Sequence, residues 1–177
     1  YPSVFGCALS GLTIKLCDVD KKSLNISLET IRKVYSKDVK VIVVVHLYGN
    51  PVDIDPIKKF AKKHNIYLIE DCAQATGSVY KGKKIGSFGD LACFSFYPTK
   101  NLGAYGDGGA ILTNSEKFYK RSKLLRMYGE EERYNSILLG HNSRIDENQA
   151  AILSTKINFL EKWNGRNRSS PGLCFKD

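Results

Sequence analysis

Apolar residues along this chain follow two rhythms that take turns. In VKVIVVVH (39–46) and IYLIED (66–71) they run almost unbroken by polar residues, as in strands of a parallel sheet covered on both faces. In LETIRKVY (28–35) and PIKKFAKKH (56–64) they recur three and four positions apart, which predicts helices with one buried stripe, the second opened by Asp55 and Pro56. IKLCDV (14–19), LACFSFYPTK (91–100) and AILT (110–113) predict further strands. EKFYKRSKLLRMYG (116–129) and DENQAAILSTKINFLEKW (146–163) predict further helices. Asp146 caps the last of these with Gln149 three positions on, and Ala150, Ile152, Leu153, Ile157 and Leu160 share roughly one face of it. Alternating strands and helices predict an α/β fold, a mostly parallel sheet with helices on both faces. No repeat, low-complexity tract or interdomain linker interrupts it.

Composition narrows the class. The chain has 177 residues and 42% hydrophobic content, enough for the core of one ordinary domain. No apolar run approaches the roughly 20 residues that span a bilayer. The start, YPSVFGCALSG, lacks the basic leader and long apolar stretch of a secretory signal. A soluble cytoplasmic protein is the expectation. Cys7, Cys17, Cys72, Cys93 and Cys174 are scattered and odd in number, which argues against a disulfide framework and a zinc site and suits a reducing compartment. His46, His64 and His141 show no ligand spacing to one another or to the cysteines; His46 ends a strand, where a capped or buried structural role is expected. The net charge of +9 is spread through KDVK, IKKFAKKH, YKGKK and FYKRSKLLR among apolar positions. Solvated faces of amphipathic elements explain that spread better than a nucleic-acid-reading surface, with some attraction for anionic substrates.

Candidate chemistry centres on Lys100, between the apolar run FSF and the glycine-dense GAYGDGG. An amine held where protein strips its water is how enzymes make a Schiff-base lysine. Asp71 ends the strand IYLIED, and a carboxylate near such a lysine is the other half of a pyridoxal phosphate site, because the cofactor's pyridinium nitrogen needs an anionic partner. Each residue alone also has an ordinary reading. Lysine is usually solvated, strand-end aspartate caps turns, and Gln74 and Ser95 can satisfy backbone groups. Asn142 and Arg144 can belong to a plain polar loop. GAYGDGG lacks the strand-to-helix setting of a dinucleotide loop and reads as a tight turn whose glycines permit unusual backbone angles.

The run EDCAQATGSVYKGKKIGSFGDLACFSFYPTKNLGAYGDGGAILTN, followed by GHNSRIDENQAAIL, resembles the DegT-type family of nucleotide-sugar aminotransferases, fold-type I pyridoxal phosphate enzymes. The likeness runs from about Asp18 to Arg166 with its blocks in order. It implies that Lys100 forms the internal aldimine and shuttles protons, that Asp71 keeps the pyridine nitrogen protonated, and that Gln74 lies beside the ring. It further implies that Ser95 contacts the phosphate and that Asn142 reaches the phosphate in a neighbouring subunit, so that the active unit is a homodimer. The implied reaction moves an amino group, from glutamate as the resemblance implies, to a keto group of a nucleotide-linked sugar. Relatives that dehydrate the sugar instead carry histidine in place of the aldimine lysine, which Lys100 argues against. Family members are roughly twice this long. Residues 1–166 are therefore expected to form a partial cofactor-binding large domain and 167–177 an irregular tail, with the small carboxy-terminal domain absent and the phosphate-binding loop missing upstream. Weak activity, or a catalytically inactive domain serving binding or dimerisation, is the alternative that this leaves open.

Overall fold

A computed structural model describes residues 2–169, with side chains as far as Arg166. In chain order the elements are α1 (Pro2–Leu9), α2 (Leu28–Val34), β1 (Val41–Val45), α3 (Ile54–Lys63), β2 (Tyr67–Asp71), β3 (Val79–Tyr80), β4 (Lys83–Lys84), β5 (Leu91–Ser95), β6 (Gly109–Leu112), α4 (Glu116–Leu125), β7 (Glu130–Glu132), β8 (Asn135–Ser136), α5 (Glu147–Lys156) and α6 (Leu160–Ser169). Four strands form a sheet of order β1-β2-β5-β6, in which β1 runs parallel to β2 and β2 parallel to β5. The α/β fold with a mostly parallel sheet is thus as the sequence predicts. Two compact units share the chain, one built from residues up to Phe94 with Ile111–Ser122, the other from Ser95–Ala110 and the chain from Lys123 onward.

The core of the first unit gathers Ile31, Ile42, Val44, Ile54, Ile57 and Leu68 from α2, β1, α3 and β2. Ser27 caps α2 through its side chain, and Thr30 returns the bond to the cap's own amide. Helix α3 starts at Ile54, earlier than the predicted Asp55–Pro56 opening, so Pro56 lies in the first turn, where its missing N–H has no partner to lose. The cap residue Asp53 gives its carboxylate to the Tyr80 hydroxyl instead of to the helix. On β1 one face is fully buried and the other only partly, short of the two covered faces its sequence predicts; β1 stands at an edge of the sheet. Lysines of α2 and α4 sit on solvated faces, Lys33 and Lys120 each pairing with a glutamate one turn back.

Several sequence expectations need correction. IKLCDV forms no strand. Its apolar residues find no neighbouring strand among the described residues, and Leu16 is 73% exposed. The predicted last helix is two, α5 and α6, joined by a tight 3-10 turn at Ile157–Phe159. That turn shifts the phase of the apolar stripe, so Leu153 and Leu160 are buried while Ile157 points to solvent. The glycines of GAYGDGG do not have the positive φ that the turn reading asked for. Gly106 and Gly108 face Gln149 and Ile145, whose side chains a Cβ would press at 3.2 and 3.1 Å. Of the expected irregular tail, residues 167–169 belong to α6, and 170–177 lie outside the described residues. Sequence periodicity also missed α1 and the two short hairpins β3–β4 and β7–β8.

Deep in the first unit, the Glu70 side chain is fully buried and accepts four hydrogen bonds. Oε2 takes His46 Nε2 at 3.2 Å and the Gly86 amide at 2.7 Å; Oε1 takes the Phe88 amide at 2.8 Å and the Gly89 amide at 2.7 Å. A carboxylate has about four lone-pair sites, so all are filled. Val52 N donates to His46 Nδ1, which leaves Nε2 as the protonated nitrogen that faces Glu70 in the neutral ring. Gly86, at φ +84, can be nothing larger: a Cβ there would lie 2.6 Å from the Phe94 ring. Burial pushes the Glu70 carboxyl up, but the bonds from His46 and the three amides outweigh it and hold it below its usual range.

In the second unit Phe96, Leu102, Ala104, Ile145, Leu153 and Leu160 pack together. Asp146 Oδ1 accepts from the Gln149 amide at 2.9 Å, as the predicted cap requires. The Gln149 side chain, however, turns to the glycine-rich segment and accepts from Tyr105 N at 2.7 Å, while Lys156 Nζ donates to Gly103 O at 2.7 Å.

Two outcomes follow for stability. Because the Glu70 carboxyl titrates lower folded than unfolded, its stabilisation is present above the unfolded value and fades as pH falls through the folded one. Glu70→Gln should therefore lower stability by about 3 kcal/mol near neutrality, and its stability should fall less steeply than wild type's on acidification, read by denaturant melts across the acidic range. Gln149→Ala should cost about 1 kcal/mol and speed hydrogen exchange at the Tyr105 amide.

Candidate active site

Parallel strands deliver their carboxyl ends to one side of a sheet, where α/β proteins gather ligands. Asp71 is the last residue of β2, in register with Val45 and Cys93. Its backbone is fixed on one flank by His46 N donating to Asp71 O at 3.1 Å and just beyond by Cys72 N donating to Cys93 O at 2.8 Å. Side chains alternate along a strand, so with Glu70 turned into the core Asp71 turns the other way, and it is only partly buried. Its Oδ1 accepts from Ala73 N at 3.0 Å and its Oδ2 from the Ser3 hydroxyl at 2.7 Å.

Gln74 follows in the turn after β2 and is exposed; its Oε1 accepts from Tyr48 N at 3.0 Å. Tyr48 belongs to the tight turn after β1, sits at φ 53 and is 85% exposed. Asn25, buried though polar, braces that turn by donating to Asn50 O at 2.9 Å, and Ser78 Oγ donates to Gly49 O at 2.9 Å. Asp71 and Gln74 thus share the first unit, both at the carboxyl end of β2, with Gln74 tied to the turn after β1.

Ser95, Lys100 and Asn142 belong to the second unit. Ser95 ends β5, and its hydroxyl accepts weakly from Tyr97 N at 3.4 Å. The turn that follows is closed by Lys100 N donating to Tyr97 O at 2.9 Å and Ala104 N donating to Phe96 O at 2.7 Å. Gly103 allows that closure, for a Cβ there would fall 2.4 Å from Pro98 O. The Lys100 ammonium is on a partly buried residue and meets no hydrogen-bond or ion-pair partner among the described residues. Asn142 is exposed and bridged through its backbone to Met127.

Sequence spacing overlooked one cluster. His46, Glu70 and Cys72 bring ligand-type atoms within 4.8 Å of one another, all buried. Their donors are committed elsewhere, Glu70 to four hydrogen bonds and His46 to two, and burial beside Glu70 and Asp71 pushes the Cys72 thiol well above its usual range. This is structural wiring of the kind expected of His46. Ser3, the other residue that sequence reasoning missed, contacts Asp71 across 68 positions and carries no local signal.

The residues present suit pyridoxal phosphate by their chemistry. A carboxylate with acceptor sites to spare at a strand end matches a cationic ring nitrogen, a hydroxyl matches a phosphate oxygen, and an uncommitted primary amine matches an aldehyde.

Comparison with known proteins places the chain in a family. Residues 4–172 match the DegT/DnrJ/EryC1/StrS aminotransferase family. The chain is 48% identical over 166 residues to the dTDP-3-amino-3,6-dideoxy-alpha-D-galactopyranose transaminase of Aneurinibacillus thermoaerophilus, covering 94% of this chain and 46% of that protein. Among solved structures it superimposes with a TM-score of 0.91 and 37% identity on Streptomyces venezuelae DesV in complex with a ketimine intermediate, covering 94% of this chain and 45% of that one. A more distant likeness, 26% identical with a TM-score of 0.84, is to Escherichia coli GDP-4-keto-6-deoxy-D-mannose-3-dehydratase with bound hydrated PLP, over 93% of this chain and 47% of that one. The chain spans under half the length of each of these proteins. With a family match over nearly its whole length and the same α/β fold, the chain belongs to the DegT/DnrJ/EryC1/StrS aminotransferases.

Proposed function

We propose that the protein is a pyridoxal phosphate-dependent aminotransferase that passes an amino group from an amino-acid donor, glutamate by analogy with the family, to a keto group of a nucleotide-linked sugar. The observation that carries this reading is Lys100, a partly buried amine with no described partner, in a chain whose relatives are transaminases of nucleotide-linked sugars. The dehydratase neighbour keeps the second reading in view, but a lysine rather than a histidine at position 100 favours transamination.

When bound, pyridoxal phosphate supplies an electron sink for the carbon whose amine is exchanged. The chain's own residues divide the remaining work. Asp71 offers the anion that holds the ring nitrogen in its positive form. Gln74, tethered through Oε1 to the Tyr48 amide, keeps its NH2 free to lie beside the ring. Ser95 contributes a hydroxyl to the phosphate. Lys100 Nζ would hold the cofactor covalently, and its amine would carry a proton to and from the substrate carbon. Asn142 serves the neighbouring subunit's phosphate, which makes the working form a homodimer of a cytoplasmic enzyme. Residues 1–166 act as part of the cofactor-binding large domain. Among the described residues no helix is long and apolar enough to cross a membrane.

Borohydride reduction of the protein mixed with pyridoxal phosphate should fix the cofactor on the Lys100 peptide, as read by mass mapping. Lys100→Arg should remove that label and lower transamination by at least about a thousandfold. A folded wild-type protein whose label falls on other lysines, or on none, would overturn the assignment.

A further inference from the structure

Asp71 is held by a residue from far away in the chain. Ser3 stands in the first turn of α1, a helix none of whose residues is buried. Little apolar packing therefore fixes this helix, yet the Ser3 hydroxyl reaches Asp71 Oδ2 at 2.7 Å, a separation typical of hydroxyls donating to a charged carboxylate. The other oxygen, Oδ1, takes the Ala73 amide at 3.0 Å. One donor on each oxygen, from opposite ends of the chain segment, leaves the carboxylate no freedom to turn about its own axis without breaking a bond. It also leaves each oxygen one acceptor site.

We propose that Ser3 is a positioning residue for the cofactor's ring nitrogen: its hydroxyl locks the rotation of the Asp71 carboxylate so that a remaining lone pair is preset for a pyridinium N–H. This rests on the pyridoxal phosphate reading above. A carboxylate that accepted only from Ala73 would have to be ordered when the ring binds, and that ordering would be charged against affinity. Ser3 removes the need beforehand. A serine suits the role because its single proton is directed at the carboxylate while no bulk is added next to the ring site; threonine keeps the same hydroxyl, and alanine does not.

The test compares wild type with Ser3→Ala and Ser3→Thr, each titrated with pyridoxal phosphate and followed by visible absorbance over a range of pH. Ser3→Ala should bind the cofactor about tenfold more weakly. The midpoint of its visible-band titration should move to higher pH, because a ring nitrogen held less firmly as a cation withdraws less charge across the conjugated system. Ser3→Thr should restore both values. A Ser3→Ala protein that melts earlier but keeps the wild-type affinity and midpoint shows a tether for α1 only and overturns the proposal, as does one unchanged in every respect. A wild-type protein that takes up no pyridoxal phosphate overturns the wider reading, and this proposal with it; normal uptake with an unmoved Ser3→Ala overturns this proposal alone.

Discussion

The filled carboxylate of Glu70 is the constraint around which the first unit is arranged. An ionised carboxyl taken from water costs several kcal/mol unless its acceptor sites are met. Here they are met by His46 at the end of β1 and by three consecutive-region amides of the 86–89 loop. Each donor is itself pinned. The tautomer of His46 is set by Val52 N, and Gly86 adopts a left-handed conformation with the Phe94 ring where a side chain would stand. One buried anion thereby ties together the ends of two strands and the loop that leads into a third. The arrangement is of an all-or-none kind, because losing any donor leaves a buried charge short of partners.

Rigidity at this point matters for the neighbouring residue. Strand alternation gives the pair Glu70–Asp71 opposite directions, one into the core and one to the other face, where it meets Ser3 of α1. The inner carboxylate fixes the backbone that presents the outer one. His46 joins the two tasks, since its ring bonds Glu70 while its amide donates to the carbonyl of Asp71. Preorganisation of a binding group by a shell of committed neighbours is what keeps it within the tolerance that binding and catalysis require.

Much of this was legible in the sequence and the rest was not, for physical reasons. Apolar rhythm located β1, β2, β5, α2, α3 and α4, since local spacing sets the form of these elements and, in all but α4, buried residues fix one face. Asp146 could be read as a cap because a cap is a contact within four residues. The motifs around Asp71 and Lys100 were readable as a resemblance. The Glu70 network was not, because its partners lie 16 to 24 positions away and no periodicity announces a hydrogen bond. IKLCDV misled for the opposite reason: a run of apolar residues becomes a strand only where a neighbour supplies the ladder. The glycines of GAYGDGG were right as glycines and wrong in motive, serving close approach by Gln149 and Ile145 in place of unusual backbone angles.

Two acidic residues end β2, and either, from sequence alone, could offer an anion to a cationic ring. The structure separates them. Glu70 is 0% exposed with every acceptor site occupied by protein, so a ligand could reach it only by displacing a backbone amide or His46, at a cost that binding one ring nitrogen would not recover. Asp71 is partly exposed, and each of its oxygens takes a single protein donor. The distinction rests on counting lone pairs, not on which residue resembles a relative's: Asp71 is the carboxylate that still has room to accept a further donor.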